Sequence, residues 1–150
     1  MTEYNPRAML SPAHRLTLRA LLDRIIPPDE DPGAWEAGVG DYLLRQLSGD
    51  LRAELDHYRA GLEALEAEAL AVAGSTFTAL PPAEQDALLR RVEAGDVVHA
   101  WPVDPAQFFA LAVQHAVEGY YSDPGNGGNR DGASWRMIGF VPRRLEDGPA

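Results

Sequence analysis

Asp50 to Gly74, DLRAELDHYRAGLEALEAEALAVAG, decides the fold class. Leu51, Leu55, Tyr58, Leu62, Leu65, Ala69 and Val72 recur at alternating spacings of four and three. That rhythm gathers apolar side chains into one narrow stripe along a helix. Asp50 is placed to cap its start and Gly74 to end it. At about 1.5 Å per residue the helix spans on the order of 36 Å. Three heptads are marginal alone, so the stripe predicts a strut inside a bundle whose other helices need its surface. A homodimeric coiled coil through 51–72 is the competing expectation.

The flanking sequence supplies those helices. Upstream, Ser11-Pro12 is a cap followed by proline, and Leu18, Leu21, Leu22, Ile25 and Ile26 form a helical stripe that Pro27-Pro28 stop. After the acidic turn Asp29 to Gly33, a second helix is expected from Ala34 to Leu47, with Val39, Tyr42, Leu43 and Leu47 inward. Downstream, a fourth helix runs from Pro81 or Pro82 to Ala94 with Gly95 as its stop. The segment Asp96 to Val103 is a linker too apolar to float freely. Asp104-Pro105 opens a fifth helix to about Tyr121, apolar on two faces and therefore deeply buried. A glycine-rich loop follows, then one helical turn over Ala133 to Ile138 and a frayed tail from Arg143. No segment has the alternation of a strand. The expectation is an all-α single-domain bundle of about five helices over 1–150, with its core in 11–141, frayed termini and a C-terminal loop rich in glycine and aromatics.

Composition narrows the function classes. The chain has 150 residues and a formal charge of −10, and all 13 of its basic residues are arginine. An acidic chain lacks the basic footprint that nucleic acid or an anionic membrane surface requires. Without cysteine it has no disulfide, thiolate metal site or cysteine nucleophile. No apolar run is long enough to insert in a membrane. The opening MTEYNPRAMLSPAHR carries neither a twin arginine nor an apolar core. The cytoplasm is therefore the expected compartment, and the periplasm the alternative if a partner carries the export signal.

The densest chemistry lies in His115 to Phe140, HAVEGYYSDPGNGGNRDGASWRMIGF. Gly125-Asn126-Gly127-Gly128 completes no phosphate-cradling motif and follows a helix rather than a strand. No nucleophile elbow is present. His115 and Glu118, at i and i+3 with Asp123 nearby, are the one candidate metal or enzymatic constellation. Asp123, Asn126, Asn129 and Asp131 lack the ligand register of a calcium loop. Their side chains suit turn-fixing hydrogen bonds better. Tyr120, Tyr121, Trp135 and Phe140 suit a core or an interface, and Arg130 suits local pairing or a partner's carboxylate.

At these residues the chain resembles the gluconate 2-dehydrogenase subunit 3 family. The resemblance is carried by His115, Glu118-Gly119-Tyr120-Tyr121-Ser122-Asp123-Pro124, Gly127-Gly128-Asn129-Arg130-Asp131, Trp135 and Ile138-Gly139-Phe140. Upstream landmarks are Asp23-Arg24-Ile25-Ile26-Pro27, Pro32-Gly33-Ala34, Ala37-Gly38-Val39 and Pro82-Ala83-Glu84-Gln85-Asp86, so that it spans about 16–141. Asn126 departs from it, standing where the family usually has an aromatic.

The resemblance implies a non-catalytic small subunit with no cofactor of its own. Its partner would be an FAD-dependent large subunit of glucose-methanol-choline type, acting on sugars, sugar acids or polyols, and in exported complexes a cytochrome c subunit takes the electrons. The small subunit would support the flavoprotein's folding, stability and export. Docking is then expected through His115, Glu118, Tyr120 and Tyr121 on the helix. On the loop it is expected through Asp123, Asn126, Gly127, Gly128, Asn129, Arg130, Asp131, Trp135 and Phe140. The alternatives are the metal or enzymatic module and a self-associating scaffold.

Overall fold

The computed structural model describes residues 10–122 and 128–129. Within them lie five α-helices: α1 (Pro12–Ile25), α2 (Val39–Ser48), α3 (Leu55–Ala73), α4 (Pro82–Glu93) and α5 (Pro105–Tyr120). Short 3-10 turns at Arg52–Glu54 and Phe77–Ala79 flank α3. There is no strand among the described residues, and the fold is all-α. The turn expected over 133–138, the tail from 143 and the first nine residues lie outside the described residues.

Local chemistry sets most helix ends where the sequence puts them. The Ser11 hydroxyl accepts the His14 N–H at 3.0 Å, and His14 Nδ1 accepts the Ser11 N–H at 3.2 Å. This is a capping box with histidine in the place glutamate usually takes. The same ring reaches α3, where Nε2 lies 2.9 Å from Glu63 Oε1. Asp104 caps α5 by accepting the Gln107 N–H at 2.9 Å. Gly74 closes α3 at φ +69°.

Two starts differ from expectation. The second helix begins at Val39, not Ala34: Gly38 at φ +87° breaks the helical path, and 34–38 form turns ahead of it. The longest helix begins at Leu55 because the chain first makes the 3-10 turn at Arg52–Glu54, so Asp50 is not its cap.

The core confirms the bundle and corrects the stripe. Tyr58, Leu62, Leu65 and Ala69 are at most 1% exposed, packed among Leu18, Leu21 and Leu22 of α1, Leu43 and Leu47 of α2, and Phe108 and Ala112 of α5. The centre of the stripe is thus covered by the chain's own helices, which removes it as a homodimer seam. Val72 is 40% exposed, and Leu51 and Leu55 are only half-buried. Gly61 lets α3 and α5 approach, because the Phe108 ring occupies the space a Cβ there would need.

Two carboxylates, one buried and one half-buried, fasten the connections at one end of α3. Glu68, 1% exposed, accepts the Val98 N–H at 2.8 Å and the Trp101 indole N–H at 3.2 Å, and its Oε1 lies 2.6 Å from His99 Nδ1. Burial works against its charge, but these partners outweigh it and hold the carboxyl below its ordinary range. Glu66 likewise accepts from the Thr17 hydroxyl at 2.8 Å and the Phe77 N–H at 2.7 Å. The 96–103 linker is therefore anchored as well as apolar: Val97, Trp101 and Val103 pack on the core, while Val98 stays exposed. Arg24 donates twice to Asp86, at 2.8 and 3.2 Å, and ties α1 to α4.

Candidate partner-binding end of the fifth helix

The opposite end of α3 meets the end of α5. His115 is 2% exposed, and its Nδ1 shares a 2.6 Å hydrogen bond with the Tyr58 hydroxyl. The two rings stack at 5.7 Å, and Phe108 meets Tyr58 edge-on at 5.9 Å. Burial lowers the His115 pKa below its ordinary 6.5, although Glu118 and Glu54 pull it upward. Burial raises that of Tyr58. A low-polarity site favours the uncharged form of both, so this is a neutral pair at pH 7.

One turn later Gly119 lies where three pieces of chain converge. A Cβ at this position would come within 2.6 Å of the Tyr42 ring on α2. Its carbonyl accepts the Ser122 hydroxyl at 2.9 Å, and Gly128 packs against that same carbonyl so closely that it too has no space for a side chain. Asn129, fully buried at φ +48°, donates its amide to the Ser122 carbonyl at 2.8 Å. Asparagine tolerates this left-handed conformation better than most residues. The end of α5 is thus satisfied by Tyr121 and Ser122 just past it, as a helix end requires, and Ser122 is in turn held by the returning Asn129. Tyr120, 2% exposed, donates its hydroxyl to the Pro32 carbonyl at 2.7 Å and ties the helix end to the acidic turn.

These positions divide the expected docking residues. His115, Tyr120 and Asn129 are buried and bonded within the chain and Gly128 is buried against Gly119, so their direct roles are in its fold. Glu118 and Tyr121 face solvent, with Glu118 accepting from the Gln114 amide at 3.1 Å. The fifth helix is therefore less fully buried than its two apolar faces predict: Phe109 and Val113 are half-buried, and Val117 is exposed. Asp123, Asn126, Gly127, Arg130, Asp131, Trp135 and Phe140 lie outside the described residues.

His115 and Glu118 do not converge on a common point, since the imidazole is turned inward to Tyr58 and the carboxylate outward. Among the described residues no three His, Asp or Glu side chains are grouped to hold a metal ion. The acid–histidine contacts that do form, His14–Glu63 and His99–Glu68, join residues 49 and 31 positions apart. Sequence reasoning missed Glu66 and Glu68, because acids in a helical run ordinarily read as a solvated face. The one available signal was the stretch of apolar linker that needed an anchor.

No curated protein and no solved structure matches the chain. The family profile described as gluconate 2-dehydrogenase subunit 3 matches residues 12–142, which takes in all five helices and the Gly119–Asn129 junction. With the match covering most of its length, the chain belongs to the gluconate 2-dehydrogenase subunit 3 family.

Proposed function

We propose that this member of a dehydrogenase-subunit family is the non-catalytic small subunit of an FAD-dependent, glucose-methanol-choline-type dehydrogenase acting on a sugar, sugar acid or polyol. The flavin belongs to the large subunit, and a cytochrome c subunit takes the electrons where the complex is exported. The small subunit's work is to keep the flavoprotein folded and to accompany it to its compartment. That compartment is the cytoplasm, or the periplasm where the partner bears the export signal.

The observation that carries this reading lies in the segment that gives the family its signature. Its buried polar groups are committed to their own chain: His115 to Tyr58, Tyr120 to Pro32 and Asn129 to Ser122. An imidazole buried as a neutral hydrogen-bond partner is poorly placed to exchange protons with a substrate. A subunit that binds only the folded flavoprotein stabilises it by mass action. Co-expression with and without this chain tests the proposal. Soluble, flavin-loaded and active large subunit is expected to fall several-fold when the chain is left out. Equal yield and activity without it would overturn the reading.

A further inference from the structure

We propose that the outward edge of α5, Val117 and Tyr121 with Glu118 beside them, is the face on which the large subunit docks. The partner meets it with an apolar pocket rimmed by arginine or lysine. This rests on the accessory-subunit reading and adds to it the residues that make the contact and the chemistry they demand.

Exposed large hydrophobic side chains among the described residues are Leu16, Leu70, Val72, Val98, Val117 and Tyr121. Of these only Val117 and Tyr121 stand four residues apart at the end of one helix, the spacing that makes side chains neighbours. Each is 45% exposed. Half-buried Val113 continues the row inward, so the apolar edge grows out of the core.

Tyr121 is presented from a fixed base. Its N–H donates to the Val117 carbonyl at 3.1 Å, and its ring stands edge-on to Tyr120 at 5.3 Å and 73°. Tyr120 is itself buried and held by Pro32. An exposed aromatic already held in place loses little conformational freedom on docking, which is the character of an interface anchor.

Charge selects the occupant. Glu118 accepts from the neutral Gln114 amide, and among the described residues it forms no ion pair. Glu118 thus sets a carboxylate beside the apolar pair, on a chain whose formal charge is −10. A second copy packed symmetrically here would bring like charges together, and an anionic surface would be repelled. A basic-rimmed pocket on another protein complements both the apolar pair and the Glu118 carboxylate.

Affinity purification of the co-expressed complex tests this, with Tyr121→Ala and Glu118→Arg as variants and Leu70→Ala as the control. All three positions are exposed, and unchanged thermal midpoints will show that the variants fold. Each of the first two variants is expected to reduce recovered large subunit at least about tenfold, and Leu70→Ala to leave it unchanged. A photo-cross-linker at position 117 is expected to give an adduct with the large subunit. Undiminished recovery with both variants, or an adduct only between two copies of this chain, would overturn the docking face while leaving the accessory-subunit reading intact. Failure of the unsubstituted chain to recover any large subunit would overturn both.

Discussion

The two ends of α3 are fastened by opposite chemistry. Toward its C-terminus, half-buried Glu66 and buried Glu68 gather backbone and side-chain donors from α1 and from the connections before α4 and α5. Near its N-terminus the joints are uncharged: Tyr58 on His115, Tyr120 on Pro32, and glycine backbone against ring and carbonyl. A carboxylate tolerates varied donor geometry but fails when its charge or its acceptors are removed. A close-packed neutral joint fails when volume is added or when a charge is forced into it. Substitutions at the two ends should therefore fail for different reasons.

The largest expected effect is at the charged end. Glu68→Ala leaves the Val98 N–H and the Trp101 indole without their acceptor and should cost about 3 kcal/mol in urea unfolding. Glu68→Gln should recover part of that loss, since one acceptor oxygen remains. Gly119→Ala comes next, at about 2 kcal/mol, from overlap with the Tyr42 ring. Combining it with Tyr42→Ala should give a loss smaller than the sum of the two single losses, which would identify volume as the cause. Tyr58→Phe should cost about 1 kcal/mol by leaving His115 Nδ1 unpaired.

The smallest effect separates the ends by pH. Unfolded, His115 takes up a proton as the pH falls through 6.5, whereas the folded protein resists protonation there. Acid therefore favours unfolding, and His115's contribution is full above 6.5 and declines below it. Glu68 follows the same sign in a lower window, its contribution present above 4.5 and lost as the pH falls through its depressed folded value. Stability measured across pH should weaken in two stages, and His115→Gln should blunt only the upper one.

Much of this architecture was legible in the sequence because it depends on neighbours. Ser11-Pro12, Gly74, Gly95 and Asp104-Pro105 mark helix ends through caps and backbone conformations that act over a few residues. The starts of α2 and α3 lie five and four residues later than the pattern implies because periodicity continues through turns that also bury apolar side chains, as at Ala34 and Ala37. At the candidate site, the pattern identified the His115 to Asn129 region but could not tell inward residues from outward ones. Tyr120 and Tyr121 are adjacent and chemically alike, yet one is core and the other surface. Only the positions of Pro32 and Tyr42, far away in the chain, make that distinction.

The Tyr120–Pro32 bond joins positions 88 residues apart. A chain emerging from the ribosome cannot form this closure until nearly all of α5 has been made, and contacts of such separation form slowly because a long loop must first be ordered. Until then Leu43, Tyr42 and the apolar face of α3 lack the cover that α5 gives them. For a protein whose proposed work is to steady another during its maturation, timing follows: it is ready to receive a partner only after α5 has locked.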